Sequence, residues 1–336
     1  MSSLSNNQSQ ASRANDDASQ CYATDLLLQL AYESMTVSCH ATATWNIPGF
    51  YLDSAGHTAA KRLMEADAQA AYSTALAYGL TGEPAYAEKV KELINGWAAV
   101  NKELTDNDGP LVSAYLGVGM IKAAELIKPY SGWCLEDQDQ FVRWMTEVCL
   151  PEWDRITLRN NWWSWSLYAQ LSLFHFMEDK ARFAEEVANL KEHIDFSLSL
   201  TGFIPEETNR GKNSMWYHYF TLSPITSSAK LIYDATGENL FHWNSPSGKS
   251  IKLALDTLLY YADGRAAEWP YDKEQNYPTP LASDTWPLDL FEAMSKVYRD
   301  PEYERFISPY RPITGNKNKN SGYFLSYSWV FPDLQF

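Results

Sequence analysis

A helix-turn-helix unit recurs three times along the chain, and this repetition limits the folds that are open to it. The unit is seen in ALAYGLTGEPAYAEKVKELI, in AKLIYDATGENLFHW and in EAMSKVYRDPEYERFI. In each copy a helical segment ends at a short turn with Gly or Asp, and an acidic residue and an aromatic residue open the next segment. Helical hairpins of this kind pack side by side, in a solenoid or in a closed ring. The sequence therefore predicts an all-α chain, with an α/α toroid as its architecture.

The rest of the chain agrees with this prediction. Apolar residues follow a helical spacing from about residue 23 onward, and no convincing alternating run predicts a strand. We predict one α/α-toroid catalytic domain over residues 23–336, after a disordered leader over residues 1–22 that lacks the apolar core of a signal peptide. The predicted helices cover roughly 23–37, 58–80, 84–100, 110–128, 136–149, 161–178, 181–199, 214–235, 250–262 and 285–299.

Composition excludes several classes of partner. The formal net charge of −15 makes nucleic acid and anionic membrane surfaces unsuitable partners, and no apolar run approaches the length of a membrane span. The 13 Trp and 21 Tyr exceed what a core needs, and the surplus suits a cleft in which sugar rings stack. Four cysteines form two close pairs, Cys21 with Cys39 and Cys134 with Cys149, which fit either two local disulfides or four free thiols.

The segment EETNRGKNSMWYHY carries the strongest chemical signal, because Arg210 precedes Tyr217 by seven residues. Tyrosine has an ordinary pKa of about 10, so it acts as a base near neutral pH only where a neighbouring cation stabilises the phenolate. If a helix begins near Asn213, Tyr217 lies in its first turn and the guanidinium of Arg210 can fold back toward the phenol. Gly211 permits the tight backbone that this arrangement needs. An arginine and a tyrosine at this spacing also fit a purely structural pair.

A second polar segment, Arg159-Asn160-Asn161-Trp162-Trp163, opens another predicted helix. Asn161 would project from a helix N-terminus, where exposed N–H groups and the helix dipole favour an anion such as a sugar carboxylate. The alternative is that Asn160 or Asn161 only caps the helix. Elimination from a uronic acid chain would need such donors on the carboxylate, a base at C5 and an acid at the departing O4.

Together these two segments resemble the active-site motifs of alginate lyases of polysaccharide lyase family five and of the related glucuronan-cleaving family thirty-eight. The resemblance rests on Asn160 and Asn161, then on Arg210, Gly211 and Tyr217 with His218, and it extends over most of residues 45–235. It implies an α/α toroid in which Tyr217 is the catalytic base and Arg210 and Asn161 contact the substrate.

Trp162 departs from the pattern, because these families have histidine at that position. Tryptophan can neither neutralise a carboxylate nor transfer a proton, so another residue replaces the histidine, the tyrosine works alone, or activity is lost. In D-mannuronate and D-glucuronate the C5 proton and O4 lie on one face of the ring, whereas in L-guluronate they lie on opposite faces. We therefore predict syn elimination on a D-uronate polymer, with Tyr217 as both base and acid.

Further residues are predicted to bind the substrate, and neither a metal nor a cofactor is needed because arginine and amide donors serve as the carboxylate clamp. The predicted partner is an anionic polysaccharide, and the protein is expected to be a secreted or periplasmic monomer. Two alternatives stay open: a glycoside hydrolase on the same toroid, with carboxylates from Glu206, Glu207, Asp284 and Asp289, and an inactive carbohydrate-binding homologue. The predicted substrate-binding residues are Asn160, Trp162, Trp165, His57, His218, Lys212, Trp216, Trp269 and Tyr271.

Overall fold

The fold is built almost entirely from helices. A computed structural model describes residues 20–276, 286–315 and 328–335. The first described helix, α1, covers residues 20–34. The predicted helices are confirmed to within a few residues at most ends. The helices are α2 (Ser54–Thr81), α3 (Pro84–Val100), α4 (Gly109–Ile127), α5 (Leu135–Trp144), α6 (Leu150–Asp154), α7 (Asn161–Phe176), α8 (Lys180–Ser197), α9 (Pro205–Thr208), α10 (Ser214–Thr236), α11 (Ile251–Ala262), α12 (Leu288–Tyr298) and α13 (Pro301–Ile307).

Four helices form the inner layer of the toroid. Helices α2, α4, α7 and α10 pack in that order, each against the next, and α3, α8 and α11 cover α2, α7 and α10 from outside. Most residues of α4 and α7 are buried, as expected for helices enclosed on both sides. Since an outer helix returns the chain between inner helices, the inner helices run in the same direction. Their N-terminal ends therefore meet at one rim, and their C-terminal halves converge at the other.

The turns of the three repeats share one backbone conformation. Helices α2 and α10 end at Gly82 and Gly237, which have φ angles of 69° and 78°, and α12 ends at Arg299 with φ 51°. This left-handed conformation lets the N–H after a helix bond back to a carbonyl in its last turn. The recurring Gly or Asp turn in the sequence therefore marks a repeated helix stop, although in the third copy a non-glycine residue takes that conformation.

Two short strands correct the prediction that the chain has none. Strands β1 (Thr44–Ile47) and β2 (Glu103–Asn107) pair in parallel beside the N-terminal ends of α2 and α4. Each has four or five residues, too short for an alternating pattern to be read. The pair anchors the segment 48–53 that leads into α2.

Two further expectations concern α4 and the cysteines. Helix α4 is long and apolar enough to span a membrane by length and composition, which corrects the expectation that no apolar run approaches that length, but 78% of its apolar window is buried inside the protein. All four cysteines are free thiols. The alternative of two local disulfides is therefore wrong for this structure.

Candidate active site

Arg210 and Tyr217 meet at the rim where the inner helices begin. Tyr217 lies in the first turn of α10, and the guanidinium carbon of Arg210 is 4.8 Å from the centre of its ring. Between them, Gly211 has a φ of 55°, a conformation that glycine adopts without a steric penalty. The sequence-based prediction that the arginine folds back onto the phenol therefore matches the geometry. The contact is a cation–π contact with the ring face.

Glu207 connects this pair to the start of α7. Its side chain is fully buried, and one carboxylate oxygen accepts hydrogen bonds from the backbone N–H and the amide Nδ2 of Asn161, at 2.7 and 2.9 Å. The other oxygen accepts from Nε of Arg210 at 3.1 Å, and Thr221 donates to the first at 3.2 Å. One carboxylate thus fixes the groups of both sequence motifs. Sequence reasoning named Glu207 only as a hydrolase carboxylate and missed this role.

The N-terminus of α7 already holds an anion, and it is the protein's own. Asn160 caps the helix, because its side-chain oxygen accepts the N–H of Trp162 at 2.9 Å, as the capping alternative predicts. Asn161 is only 1% exposed, and its Oδ1 has no hydrogen-bond partner within the described parts of the chain. The carboxylate of Glu207 therefore occupies the place at the helix end that the sequence assigns to a sugar carboxylate.

Tyr51 is the second phenol of the site, and sequence reasoning did not identify it. Its hydroxyl oxygen lies 3.0 Å from that of Tyr217, and the residue is 71% exposed. It belongs to segment 48–53, which the structure holds through Asp108, the residue before α4: the Phe50 N–H donates to its carboxylate at 2.8 Å. In the sequence, Tyr51 falls within the range of the family resemblance, but no motif marks it as part of the site.

The environment of Tyr217 corrects the expected direction of its pKa. Burial raises the pKa of this phenol above its ordinary value, and the hydrogen bond to Tyr51 raises it further, whereas Arg210 lowers it. The arginine acts in the predicted sense, but desolvation outweighs it. Tyr217 is therefore a neutral phenol in the free protein.

His57 lies behind segment 48–53. Its Nδ1 is 3.0 Å from the carbonyl oxygen of Pro48 and 3.1 Å from the carboxylate of Asp108, and its ring packs edge-on against Phe50. The histidine is 8% exposed. It therefore supports the loop that carries Tyr51, and its polar contacts are with the protein.

The segment 269–276 packs against the loop before α10. Gln275 accepts the N–H of Met215 at 3.1 Å, the Asn276 N–H donates to the carbonyl of Lys212 at 2.8 Å, and the ammonium of Lys212 forms an ion pair with Glu274. Tyr271 is 46% exposed on this segment. Lys212 and Tyr271 are thus accessible beside the Arg210 loop.

The remaining aromatic residues divide between the rim and the core. Trp162 and Trp216 are partly exposed, and Trp216 stacks on Phe220 with ring centres 4.9 Å apart. Trp165 and Trp269 are completely buried, so the prediction that they stack on sugar rings does not agree with their positions. Burial of an aromatic side chain stabilises a fold by about 1.5–3 kcal/mol. Trp165 and Trp269 therefore contribute to the stability of the core.

His218 is a core residue as well. It is 1% exposed, its Nδ1 donates to the carbonyl of Ser214 at 2.8 Å, and its Nε2 accepts the N–H of Ile204 at 2.9 Å. Burial lowers its pKa to about 4, so the ring is neutral. Both nitrogens are used by the backbone, and the predicted contact with substrate does not fit this arrangement.

Two of the carboxylates nominated for a hydrolase, Glu207 and Asp289, are buried and bonded to other residues of the protein. Glu207 is buried and bound to Asn161 and Arg210, and Asp289 is 6% exposed and accepts the hydroxyl of Tyr219 at 2.8 Å. Glu206 is exposed on α9, and Asp284 lies outside the described residues. Within the described ranges no group of three or more His, Cys, Asp or Glu residues is arranged to hold a metal ion.

By its helical toroid and its sequence profile, the protein is a polysaccharide lyase, which is a carbon–oxygen lyase. The sequence profile of the alginate lyase family matches residues 10–269. The chain therefore belongs to the alginate lyase family. This membership replaces the glycoside hydrolase alternative with a lyase. No curated protein sequence matches the chain significantly.

Solved structures of alginate lyases share the fold. An alginate lyase from Bacteroides ovatus is 18% identical, with a TM-score of 0.69 over 88% of this chain and 91% of its own. Alginate lyase A1-III from Sphingomonas species A1 is 13% identical, with a TM-score of 0.71 over 87% of this chain and 89% of its own. A variant of A1-III complexed with a tetrasaccharide gives a TM-score of 0.68 at 13% identity, over 86% of this chain and 88% of its own. These similarities confirm the predicted α/α toroid.

Proposed function

We propose that this protein cleaves a D-uronate polymer, of the mannuronan or glucuronan type, by syn β-elimination at Tyr217. The observation that carries the proposal is the contact between the Arg210 guanidinium and the Tyr217 ring, with Glu207 fixing the arginine. Membership of the alginate lyase family and the tetrasaccharide bound to a relative of the same fold support a chain-like uronate substrate. Because a polymer does not cross a membrane unaided, we propose that the enzyme acts outside the cytoplasm.

Arg210 is the group we assign to the substrate carboxylate. Its side chain is 27% exposed, so part of the guanidinium faces solvent while Nε is held by Glu207. The terminal nitrogens can then bind a carboxylate in a bidentate way. Neutralising this carboxylate makes the C5 proton more acidic, which lowers the barrier to its removal.

Tyr217 carries out both proton transfers. Its phenolate takes the proton from C5, the C5–H electron pair forms the C4–C5 double bond, the C4–O4 bond breaks, and the phenol returns the proton to O4. The phenolate is regenerated at the end of each cycle, so Tyr217 loses its own proton only once. The hydroxyl of Tyr51, 3.0 Å away on an exposed residue, provides the path by which that proton reaches solvent.

Asn161 acts through Glu207 in this proposal. At 1% exposure it is not placed to touch a sugar, but both of its donors bind the carboxylate that orients Arg210. It is therefore a positioning residue, which revises the expectation of a direct contact. Trp162, Trp216, Tyr271 and Lys212 are the exposed or partly exposed residues that we propose as contacts for the sugar chain.

The test is turnover by the Tyr217→Phe variant, measured from the ultraviolet absorbance of the unsaturated sugar end on polymannuronate and polyglucuronate. Loss of general acid–base catalysis is expected to lower kcat by at least about 10²–10⁴-fold. Tyr233→Phe is the matched control, because Tyr233 lies on the same helix and is 47% exposed. Turnover by Tyr217→Phe at the rate of this control would overturn the assignment.

A further inference from the structure

A cavity with charged and aromatic lining residues lies toward the other ends of the inner helices, away from the rim site. It has a volume of about 360 Å³ and is lined by residues from the C-terminal halves of α4, α7 and α10, by α2, and by the C-terminal segment 328–335. This volume lies within the usual range for small-molecule sites. Because Tyr217 lies in the first turn of α10 and this cavity begins at Ser227 of the same helix, the two places are separate.

Two lysines face this cavity from different helices. Lys122 lies on α4 and Lys230 on α10, with α7 between those helices. Burial lowers the pKa of Lys122 to about 8, and the charge of Lys230 lowers it as well, whereas Glu125 raises it. The two ammonium groups therefore repel each other, and an anion placed between them would relieve the repulsion.

Acidic groups stand beside the lysines. Asp234 forms an ion pair with Lys230 at 2.6 Å, and Glu125 forms one with His175 at 3.0 Å. The hydrogen bond to Glu125 raises the pKa of His175. The cavity thus combines cations with carboxylate acceptors, which bind hydroxyl groups, and its charge is close to balanced in a protein of net charge −15.

Aromatic and hydroxyl groups complete the lining. The Lys122 ammonium lies 5.2 Å from the centre of the Tyr72 ring, and Trp329 is a buried wall residue whose Nε1 donates to Thr226 at 2.9 Å. Ser172 and Ser227 add hydroxyls from α7 and α10. The buried aromatic rings shape the wall, and the lysine, serine and carboxylate groups are those that a hydroxylated ligand can bind.

We propose that this cavity binds a small hydroxylated carboxylate of monosaccharide size, a uronate, with its carboxylate between Lys122 and Lys230. The carboxylates of Glu125 and Asp234 accept its hydroxyl groups. The inference rests on the proposed function only in the choice of a uronate as ligand, since none of the lining residues belongs to the rim site.

Calorimetric titration of the full-length protein with D-glucuronate tests the proposal, with D-glucose and inorganic phosphate as comparison ligands. D-Glucuronate is expected to bind at least about tenfold more tightly than either, because only it presents both the charge and the hydroxyl groups. The Lys122→Met and Lys230→Met variants are each expected to weaken its binding by about 10–100-fold. Lys180→Met is the matched control, since it removes the same charge from an exposed position on α8.

Two further sets of variants separate loss of binding from loss of folding and from binding at the rim site. Lys122→Arg and Lys230→Arg retain the charge and are expected to retain binding, so a fold defect in the methionine variants is recognised by comparison and by thermal unfolding. The double variant Arg210→Met with Glu207→Gln removes the rim cation, and it is expected to keep the part of glucuronate binding that depends on Lys122 and Lys230. Three outcomes would each overturn the proposal. They are equal glucuronate binding by the wild type and both lysine-to-methionine variants, loss of binding only in the rim variant, and equally tight binding of phosphate. Elimination is assayed separately, so a failure of the catalytic proposal is distinguished from a failure of this one.

Discussion

The hydroxyl oxygens of Tyr51 and Tyr217 lie 3.0 Å apart, although 166 residues separate them in the chain. Burial and the hydrogen bond to Tyr51 keep the pKa of Tyr217 high, so Tyr217 is a neutral phenol beside Arg210. A base works in its deprotonated form, and activity therefore rises as pH approaches the pKa of the base. The rising limb of kcat/KM is expected to extend through the alkaline range.

The Tyr51→Phe variant tests this relationship. Because Tyr51 raises the pKa of Tyr217, its removal is expected to lower that pKa and to move the rising limb of the pH profile of kcat/KM toward lower pH. Tyr22→Phe, at a half-exposed tyrosine on α1, is expected to leave the profile in place. An unchanged pH profile of kcat/KM in Tyr51→Phe would contradict the proposed effect of Tyr51 on the pKa of Tyr217.

Glu207 and Arg210 are expected to differ in their effect on stability. Arg210→Met leaves the fully buried Glu207 carboxylate without its cation, which costs about 3–5 kcal/mol for a buried pair. Glu207→Gln neutralises the buried side, and the partly exposed arginine can bind water instead, so the loss is expected to be smaller. The double variant is expected to recover part of the loss caused by Arg210→Met. Urea denaturation of the three variants measures these free energies of unfolding, and equal losses in the two single variants would contradict this order.

The positioning role of Asn161 is tested by a double-mutant cycle. If Asn161 acts only through Glu207, the effects of Asn161→Ala and Glu207→Gln on kcat/KM are not additive, with an interaction energy of about 0.5–3 kcal/mol. Steady-state kinetics on polymannuronate measure the four corners of the cycle. Additive effects would instead indicate that Asn161 contacts the sugar directly.

Acid is expected to destabilise the fold through two buried histidines. Burial lowers the pKa of His218 to about 4 and that of His193 to about 3, while both take up a proton near pH 6.5 once unfolded. Their contribution is thus complete above pH 6.5, is lost progressively as the pH falls from there, and is fully lost once the pH has fallen through each folded-state pKa, amounting to about 3 kcal/mol for His218. Unfolding free energies between pH 7 and pH 4, a range over which denaturation is readily followed, measure this loss.

The variant His218→Gln separates this effect from general acid denaturation. It is expected to reduce the pH dependence by about one proton, whereas His242→Gln, at an exposed histidine, is expected to leave the dependence unchanged. The same slope in all three proteins would contradict the assignment to His218.

The sequence predicts the local parts of the site and misses the parts made by distant contacts. Arg210, Gly211 and Tyr217 lie within eight residues, so the turn at Gly211 and the start of α10 bring them together. The bond from Asn161 to Glu207 spans 46 residues, and the contact between Tyr51 and Tyr217 spans 166 residues. Both contacts need the assembled toroid and cannot be inferred from spacing.

The assignment of aromatic residues fails for a related reason. Inner helices are apolar on nearly all sides, so helical spacing does not separate a residue that faces the core from one that faces the cleft. Trp165 and Trp216 lie on two such helices, yet the first is fully buried and the second is partly exposed. Only the packing of α7 against α4 and α10 decides between the two environments.

Substrate stereochemistry gives the last prediction. A single tyrosine reaches the C5 proton and O4 only when both lie on one face of the ring, as in D-mannuronate and D-glucuronate. Polyguluronate places them on opposite faces and would need a second group, which the family histidine could supply but Trp162 cannot. Initial rates on the three polymers, followed by ultraviolet absorbance at equal uronate concentration, are expected to be high for at least one D-uronate polymer and near background for polyguluronate. Comparable rates on polyguluronate would contradict the assignment of both proton transfers to Tyr217.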